Sequence, residues 1–236
     1  MQNLKFGVVV FPGSNCDDDL VHVLGEVCKV QVEKIWHKSH HLPEVDGIFL
    51  PGGFSYGDYL RSGAIARYAN IMPEVTHFAN KGGFVWGICN GFQILCEAGL
   101  LPGVLLPNQD QKFICENIYL KTISVDSIIT NELMQGQVLK IPIAHADGRY
   151  HADMQTLKEL REHDQILFTY CDSNGLLSET SNVNGSIEAI AGICNRQRNV
   201  FGMMPHPERA SEEILGNTDG LGMFKSMMKH FESVMA

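Results

Sequence analysis

The most informative first facts about this chain are absences. Its seven cysteines (Cys16, Cys28, Cys89, Cys96, Cys115, Cys171 and Cys194) include no Cys-x-x-Cys pair. That argues against a zinc ribbon and against a dithiol redox motif, and leaves free thiols in a reducing cytoplasm as the simplest expectation. No apolar run approaches the roughly 18 residues that cross a bilayer. The opening MQNLKFGVVVFPGSN holds a short apolar stretch ended by Pro12 and Gly13. It lacks a basic flank and a small-residue cleavage site, so it reads as a first strand and not as a signal peptide. No cluster of Lys and Arg occurs either. With 18 basic residues against 27 acidic ones and a net charge of -9, neither nucleic acid nor a membrane is an expected partner.

Charged residues make up only 19% of the chain, which leaves little room for long disordered tails. No repeat, low-complexity tract or linker interrupts the 236 residues, and 44% of them are hydrophobic. A single domain over residues 1–236 with a full core is therefore expected.

What is present alternates between two periodicities. LKFGVVVF (4–11) reads as a buried strand. Ser14 and Asn15 are candidate caps for an acidic-fronted helix reaching about Val27. KVQVEKIW (29–36) and GIFLPGG (47–53) read as second and third strands, the latter ending in a glycine turn. Residues 61–80 carry a helical pattern with a break expected near Pro73. GFVWGIC then reads as a strand and NGFQILCEAG as a helix closed by Gly99. The second half is richer in strands: KFICENIYLKTIS, QVLKIPIAH, QILFTYC, SIEAIAGICN and NVFGMMPH. One helix, DMQTLKELREH, interrupts them, and an amphipathic helix, GLGMFKSMMKHFESVMA, closes the chain. The expected class is α/β, with a mixed, mostly parallel central sheet flanked by helices.

One cysteine is set apart. FVWGICNGFQIL (84–95) wraps Cys89 between Gly87 and Gly91, where a strand turns into a helix. A residue on such a turn is held in a strained conformation above the sheet edge. Glycines on both sides allow neighbouring backbone to approach, and the helix start offers free N–H groups and a positive dipole end. That design suits a nucleophilic thiol; the competing reading is a structural cysteine in an ordinary turn. Cys96, seven residues on, fits the core.

A nucleophile of this kind needs a base and an orienting partner. His40 and His41 sit in a polar loop, and His22 and His77 lie in helical patterns where a surface or satisfied-core role is the default. His206 differs, because MMPHPER pins it between Pro205 and Pro207 after an apolar strand. In an extended segment Glu208 would lie on the same side as His206 and could accept its ring N–H. The alternative is a shape-determining histidine with Glu208 paired to Arg209. FLPGGFSYGD (49–58) supplies a third element, a glycine loop whose amides can turn toward the elbow. Tyr56 and Asp58 read there as loop-packing residues.

Strand-PGG, then GICNGFQ, then PHPE resembles the class I (triad-type) glutamine amidotransferases. FPGSNCDDD, PGGFSYGDYLRSGAIAR, WGICNGFQIL, PIAHADGRY and MMPHPERA are most similar to the glutaminase subunits of phosphoribosylformylglycinamidine synthase. The likeness runs from about residue 6 to the last helix and implies a flavodoxin-like core and a glutaminase half-enzyme of purine biosynthesis. By motif position it implies Cys89 as nucleophile, His206 as general acid/base and Glu208 as its orienting partner. It implies oxyanion N–H groups from Gly53 and Asn90, and Gln93 as a contact for the substrate L-glutamine. His145 to Tyr150 would border the glutamine pocket or a subunit interface. The implied partners are a synthetase subunit, which would carry ATP and magnesium, and a small accessory subunit. No metal or cofactor is implied for this chain. The resemblance places it in the cytoplasm. Two other classes compete: a cysteine peptidase or chaperone-like protein on a related elbow fold, and an inactive scaffold. Neither requires both a downstream His-x-Glu and a Gln four residues after the cysteine.

Overall fold

A computed structural model describes residues 4–178 and 180–235. Strand β1 (Lys5–Val10) leads through a turn to helix α1 (Asp17–His22), which continues as a π-turn over Val23–Val27. Strands β2 (Gln31–Trp36) and β3 (Gly47–Leu50), helix α2 (Met72–Asn80), strand β4 (Phe84–Ile88) and helix α3 (Asn90–Glu97) complete the first half. Short β5 (Val104–Leu106) precedes the long strands β6 (Ile114–Thr122) and β7 (Val138–His145). Then come β8 (Arg149–His151), α4 (Met154–Glu162), β9 (Ile166–Cys171), β10 (Ile190–Cys194), β11 (Val200–Met203) and α5 (Leu221–Met235).

Nine strands form one sheet in the order β2-β1-β3-β4-β11-β10-β9-β6-β7, and β5 pairs with β8 in a separate ribbon. The β2-β1-β3-β4-β11 half is parallel; the pairs beyond it are antiparallel. The mixed sheet expected from the sequence is therefore present. Strand alternation sorts the helices onto its faces. Trp86 of β4 packs at a tilt against Phe224 of α5, and Phe84 packs edge-to-face against Phe231 of the same helix. Gly87, one residue out of phase, faces α3, so α3 and α5 cover opposite faces. No helix among the described residues is long and apolar enough to cross a membrane.

Two local expectations change, and two short strands join those expected. Ser14 caps no helix: its hydroxyl donates to Phe11 O at 2.8 Å and accepts Phe11 N–H at 2.9 Å, closing the turn after β1. Pro73 does not break a helix. It sits in the first turn of α2, where its missing N–H costs nothing, and residues 61–71 before it are turns and one 3-10 segment. Strands β5 and β8, three residues each, are too short for a periodic signal.

Parallel β1, β3, β4 and β11 all end on the same edge of the sheet. From β1 the chain turns outward to β2 and then returns to β3 on the other side. Sheets of this kind place their sites on such an edge, outside the carboxyl ends of the strands.

Candidate active site

Cys89 follows β4 with φ 51° and ψ -108°, in backbone space where a residue with a side chain stores about 1–3 kcal/mol of strain. The flanking glycines are explained by close approach. A Cβ on Gly91 would lie 1.9 Å from the Leu50 carbonyl oxygen, and one on Gly87 would lie 2.5 Å from the Gly91 carbonyl. The helix start, the strand before it and neighbouring β3 pass too close for side chains there. Cys89 N–H donates to Met203 O at 2.7 Å, tying the elbow to β11. The sulfur is buried and stands 3.7 Å from Ala144 O of β7.

His206 and Glu208 arrive from β11. The ring Nδ1 of His206 donates to Glu208 Oε1 at 2.5 Å, and the two side chains are 1% and 0% exposed. Their segment is not the extended one expected: Glu208 lies in a 3-10 turn, Pro207–Ala210, begun by Pro207. That turn folds the carboxylate back under the ring. Glu208 is not paired with Arg209, which instead donates to Asp19 Oδ2 at 2.9 Å and to Cys16 Sγ at 2.9 Å. His206 N–H is fixed on Pro142 O at 2.8 Å. Burial opposes charge on the ring, but the Glu208 carboxylate and the Cys89 sulfur outweigh it and push His206 up to about 10. Glu208 and the elbow sulfur thus both favour the charged form of the ring. Its Nε2 turns to the Cys89 sulfur without reaching full hydrogen-bond geometry, and finds no other partner among the described residues.

The glycine loop after β3 closes over this pair. A Cβ on Gly52 would fall 2.6 Å from His206 Cε1 and 3.3 Å from Cys89 Cβ, so only a bare α-carbon fits there. Gly53, with φ +125°, makes no N–H hydrogen bond among the described residues. Asn90 opens α3, so its N–H has no partner within the helix.

Several polar side chains with no catalytic assignment hold these parts together. Asn90 is fully buried; its Oδ1 accepts Ser55 N–H at 3.1 Å and its Nδ2 donates to Gln93 Oε1 at 2.8 Å. Gln93 Nε2 donates in turn to Asp147 O at 2.6 Å. The amide of Gln93 therefore supports the wall of the site, with one N–H and one lone pair still free. Asn108 donates to His145 O at 2.9 Å and to Lys112 O at 2.8 Å, which orients its amide. Its Oδ1 then accepts from His145 Nδ1 at 3.1 Å, leaving Nε2 of that ring bare and buried. Burial, with the His206 charge adding to it, pushes His145 down to about 4. Asp58, at the end of the glycine loop, is pushed up to about 6, first by burial and then by Asp147, while a Ser62 hydrogen bond works against the rise. In the sequence Asp58 reads only as a loop-packing residue and Asp147 only as part of the His145–Tyr150 segment; Asn108 lies in no motif at all.

Cys89, His206, Glu208, Gly53, Asn90 and Gln93 thus share one edge of the sheet, while His22, His40, His41 and His77 are exposed, as expected. Among the described residues no group of three or more His, Cys, Asp or Glu side chains is placed to hold a metal ion.

Comparison with known proteins adds independent findings. Residues 3–234 match the family model of the CobB/CobQ-like glutamine amidotransferase domain. The chain is 55% identical to the phosphoribosylformylglycinamidine synthase subunit PurQ of Koribacter versatilis, over 95% of this chain and 97% of that one. It is 49% identical to the PurQ subunit of Salinibacter ruber, over 98% and 99% of the two chains. Among solved structures, that of PurLQS from Thermotoga maritima superposes with a TM-score of 0.86 at 42% identity, covering 98% of this chain and all of that one. With the family model spanning nearly its whole length, the chain belongs to the CobB/CobQ-like glutamine amidotransferases.

Proposed function

We propose that this chain is the glutaminase subunit of a phosphoribosylformylglycinamidine synthase, with Cys89, His206 and Glu208 as its catalytic triad. The observation that carries the reading is a strained, buried cysteine at a strand-to-helix elbow, facing a histidine locked to a buried carboxylate.

The Cys89 thiolate adds to the side-chain amide carbon of L-glutamine, and the carbonyl π electrons move onto oxygen. The N–H groups of Gly53 and Asn90 receive that oxyanion; each such donor is typically worth about 3–4 kcal/mol. The His206 imidazolium gives its Nε2 proton to the departing nitrogen, the C–N bond breaks, and ammonia leaves a glutamyl thioester on Cys89. The now neutral imidazole takes a proton from water, whose oxygen attacks the thioester. Collapse of the second oxyanion breaks the C–S bond, restores the thiolate–imidazolium pair and releases the product as its γ-carboxylic acid, which gives its proton to solvent to become glutamate. Glu208 holds the ring tautomer throughout and stabilises its charge. Electrons and protons balance on these side chains and one water.

Ammonia passes to a synthetase subunit, which uses ATP and magnesium to convert formylglycinamide ribonucleotide to its amidine; a small accessory subunit completes the assembly. Likeness to the PurLQS structure supports such partners. All seven cysteines are free thiols, which fits work in a reducing cytoplasm.

The test is Cys89→Ser in the reconstituted complex. Synthesis driven by glutamine is expected to vanish while synthesis driven by ammonium chloride persists. Retained glutamine-driven synthesis would remove Cys89 from the mechanism.

A further inference from the structure

The turn after β1, from Pro12 to Cys16, takes no part in the hydrolytic steps, yet it grips the loop that carries Gly53. Phe54 N–H donates to Gly13 O at 2.8 Å, Tyr56 N–H to Pro12 O at 2.6 Å and Cys16 N–H to Gly52 O at 3.4 Å. The two segments also interlock by shape. A Cβ on Gly13 would lie 2.4 Å from Phe54 O, and one on Gly53 would lie 2.5 Å from Asn15 N.

The bond to Gly52 O matters most. In a trans peptide the carbonyl and the following N–H lie in one plane and point in opposite directions. Whatever holds Gly52 O therefore sets the direction of Gly53 N–H. Both residues are glycines, and Gly53 sits at φ +125°, so side-chain sterics do little to fix that plane. Cys16 N–H is the one donor to Gly52 O among the described residues, and its bond is long.

Cys16 is itself held from elsewhere. Arg209 Nη2 donates to its sulfur at 2.9 Å, and Arg209 Nε donates to Asp19 Oδ2 at 2.9 Å, which ties the guanidinium to α1. The thiol proton faces Asn15 Oδ1 at 3.9 Å, so the buried thiol is used as both donor and acceptor. Burial pushes this thiol up to about 12 against the pull of Arg209, which suits a structural group and not a second nucleophile. The Cys16 sulfur and Cys89 Cβ both lie 3.3 Å from the point where a Gly52 Cβ would stand, so Cys16 borders the elbow across Gly52. Arg209 directly follows Glu208. One short turn thus carries the triad carboxylate and braces the glycine loop.

We infer that Cys16 and Arg209 are positioning residues for the oxyanion site: Arg209 holds Cys16, Cys16 holds Gly52 O, and Gly53 N–H is thereby kept in the direction the oxyanion needs. This role rests on Gly53 as an oxyanion donor and Cys89 as the attacking atom.

The test uses the complex reconstituted with the synthetase subunit. Cys16→Ala and Arg209→Met are expected to lower kcat for glutamine by about 10- to 100-fold with KM little changed, short of the full cost of an absent oxyanion donor. Cys16→Ser keeps a donor and an acceptor at the same place and retains most of kcat. Asp19→Asn, which loosens Arg209 without removing it, gives a smaller loss in the same direction and covers the case of an Arg209→Met chain that fails to fold. Ammonia-driven synthesis is the control for folding. Alkylation of Cys89 by iodoacetamide displaces iodide at a saturated carbon and builds no oxyanion, so its rate should be the same in all four variants. An unchanged kcat in Cys16→Ala and Arg209→Met, a loss mainly in KM, or Cys16→Ser as impaired as Cys16→Ala would overturn the inference. So would alkylation that slows in step with kcat, which would place the effect on the triad. Failure of the catalytic reading looks different: the native complex, alkylated at Cys89, would still turn over glutamine.

Discussion

Glu208→Gln tests the triad at its most informative point. In the native protein Glu208 accepts the His206 Nδ1–H at 2.5 Å in a site closed to water, and it is the first of the influences that raise the ring to about 10. Glutamine at 208 keeps the shape and removes the charge. What then remains strongest is burial, which disfavours the imidazolium. At neutral pH the ring loses its proton, the thiolate loses its counter-charge and the leaving nitrogen loses its acid. General acid–base contributions are typically about 100- to 10,000-fold, and that is the expected loss in kcat, with KM changed little. The assay is glutamine-driven synthesis in the complex, with ammonia-driven synthesis as the control for folding. The pH dependence carries a second signature. A histidine raised from 6.5 to about 10 contributes stability in full below pH 6.5, and that contribution is lost as pH rises through 10. Thermal unfolding followed over this range should decline in the native protein and flatten in the variant. An unchanged kcat would return Glu208 to a structural role and refute the argument.

Other outcomes follow from the same geometry. Gly91→Ala would drive a Cβ to 1.9 Å from a backbone carbonyl that cannot yield, so the expected cost is about 4 kcal/mol or more, read as a fall in Tm of about 8–16 °C. His145 is held neutral, with its pKa pushed down to about 4, so as pH falls from 6.5 toward 4 the unfolded chain takes up this proton first and stability drops by about 3 kcal/mol. Acid unfolding of native protein against His145→Gln isolates that effect, because Asp58, raised to about 6, acts in the opposite sense over part of the same window. The loop bearing Gly53 can turn one N–H into or out of the oxyanion site at little steric cost. The free subunit is therefore expected to hydrolyse glutamine about 100- to 1,000-fold more slowly than the complex with substrate and ATP bound at the synthetase. Equal steady-state rates in the two would indicate an independent hydrolase.

The legible part of this protein was its punctuation. Gly87, Cys89 and Gly91 announce an elbow because close backbone approach excludes side chains, and that constraint is local enough to be written in three positions. Pro205 and Pro207 likewise mark His206, although the turn they create is 3-10 and not extended. The alternating strand and helix patterns led to the sheet because β3, β4 and β11, and β1 after Lys5, are apolar runs buried on both faces. The polar scaffolding was not legible. Asn90 binds Ser55, 35 residues away, and Asn108 binds His145, 37 residues away. Asp58 meets Asp147 only after β7 has crossed to the elbow. No periodicity or spacing encodes such contacts, since each exists only once the sheet has formed. Ser14 misled because a hydroxyl before an acidic run serves a turn as readily as a helix cap.

The most direct test is to catch the thioester. The complex is mixed with L-glutamine, quenched in acid within one turnover, digested and analysed by mass spectrometry. A glutamyl group is expected on the peptide containing Cys89, removable by hydroxylamine and absent from Cys89→Ser. Neighbouring Cys16, whose thiol burial pushes up to about 12 despite Arg209 beside it, should stay unmodified. A glutamyl adduct on Cys16, or full turnover with Cys89 never labelled, would contradict the account.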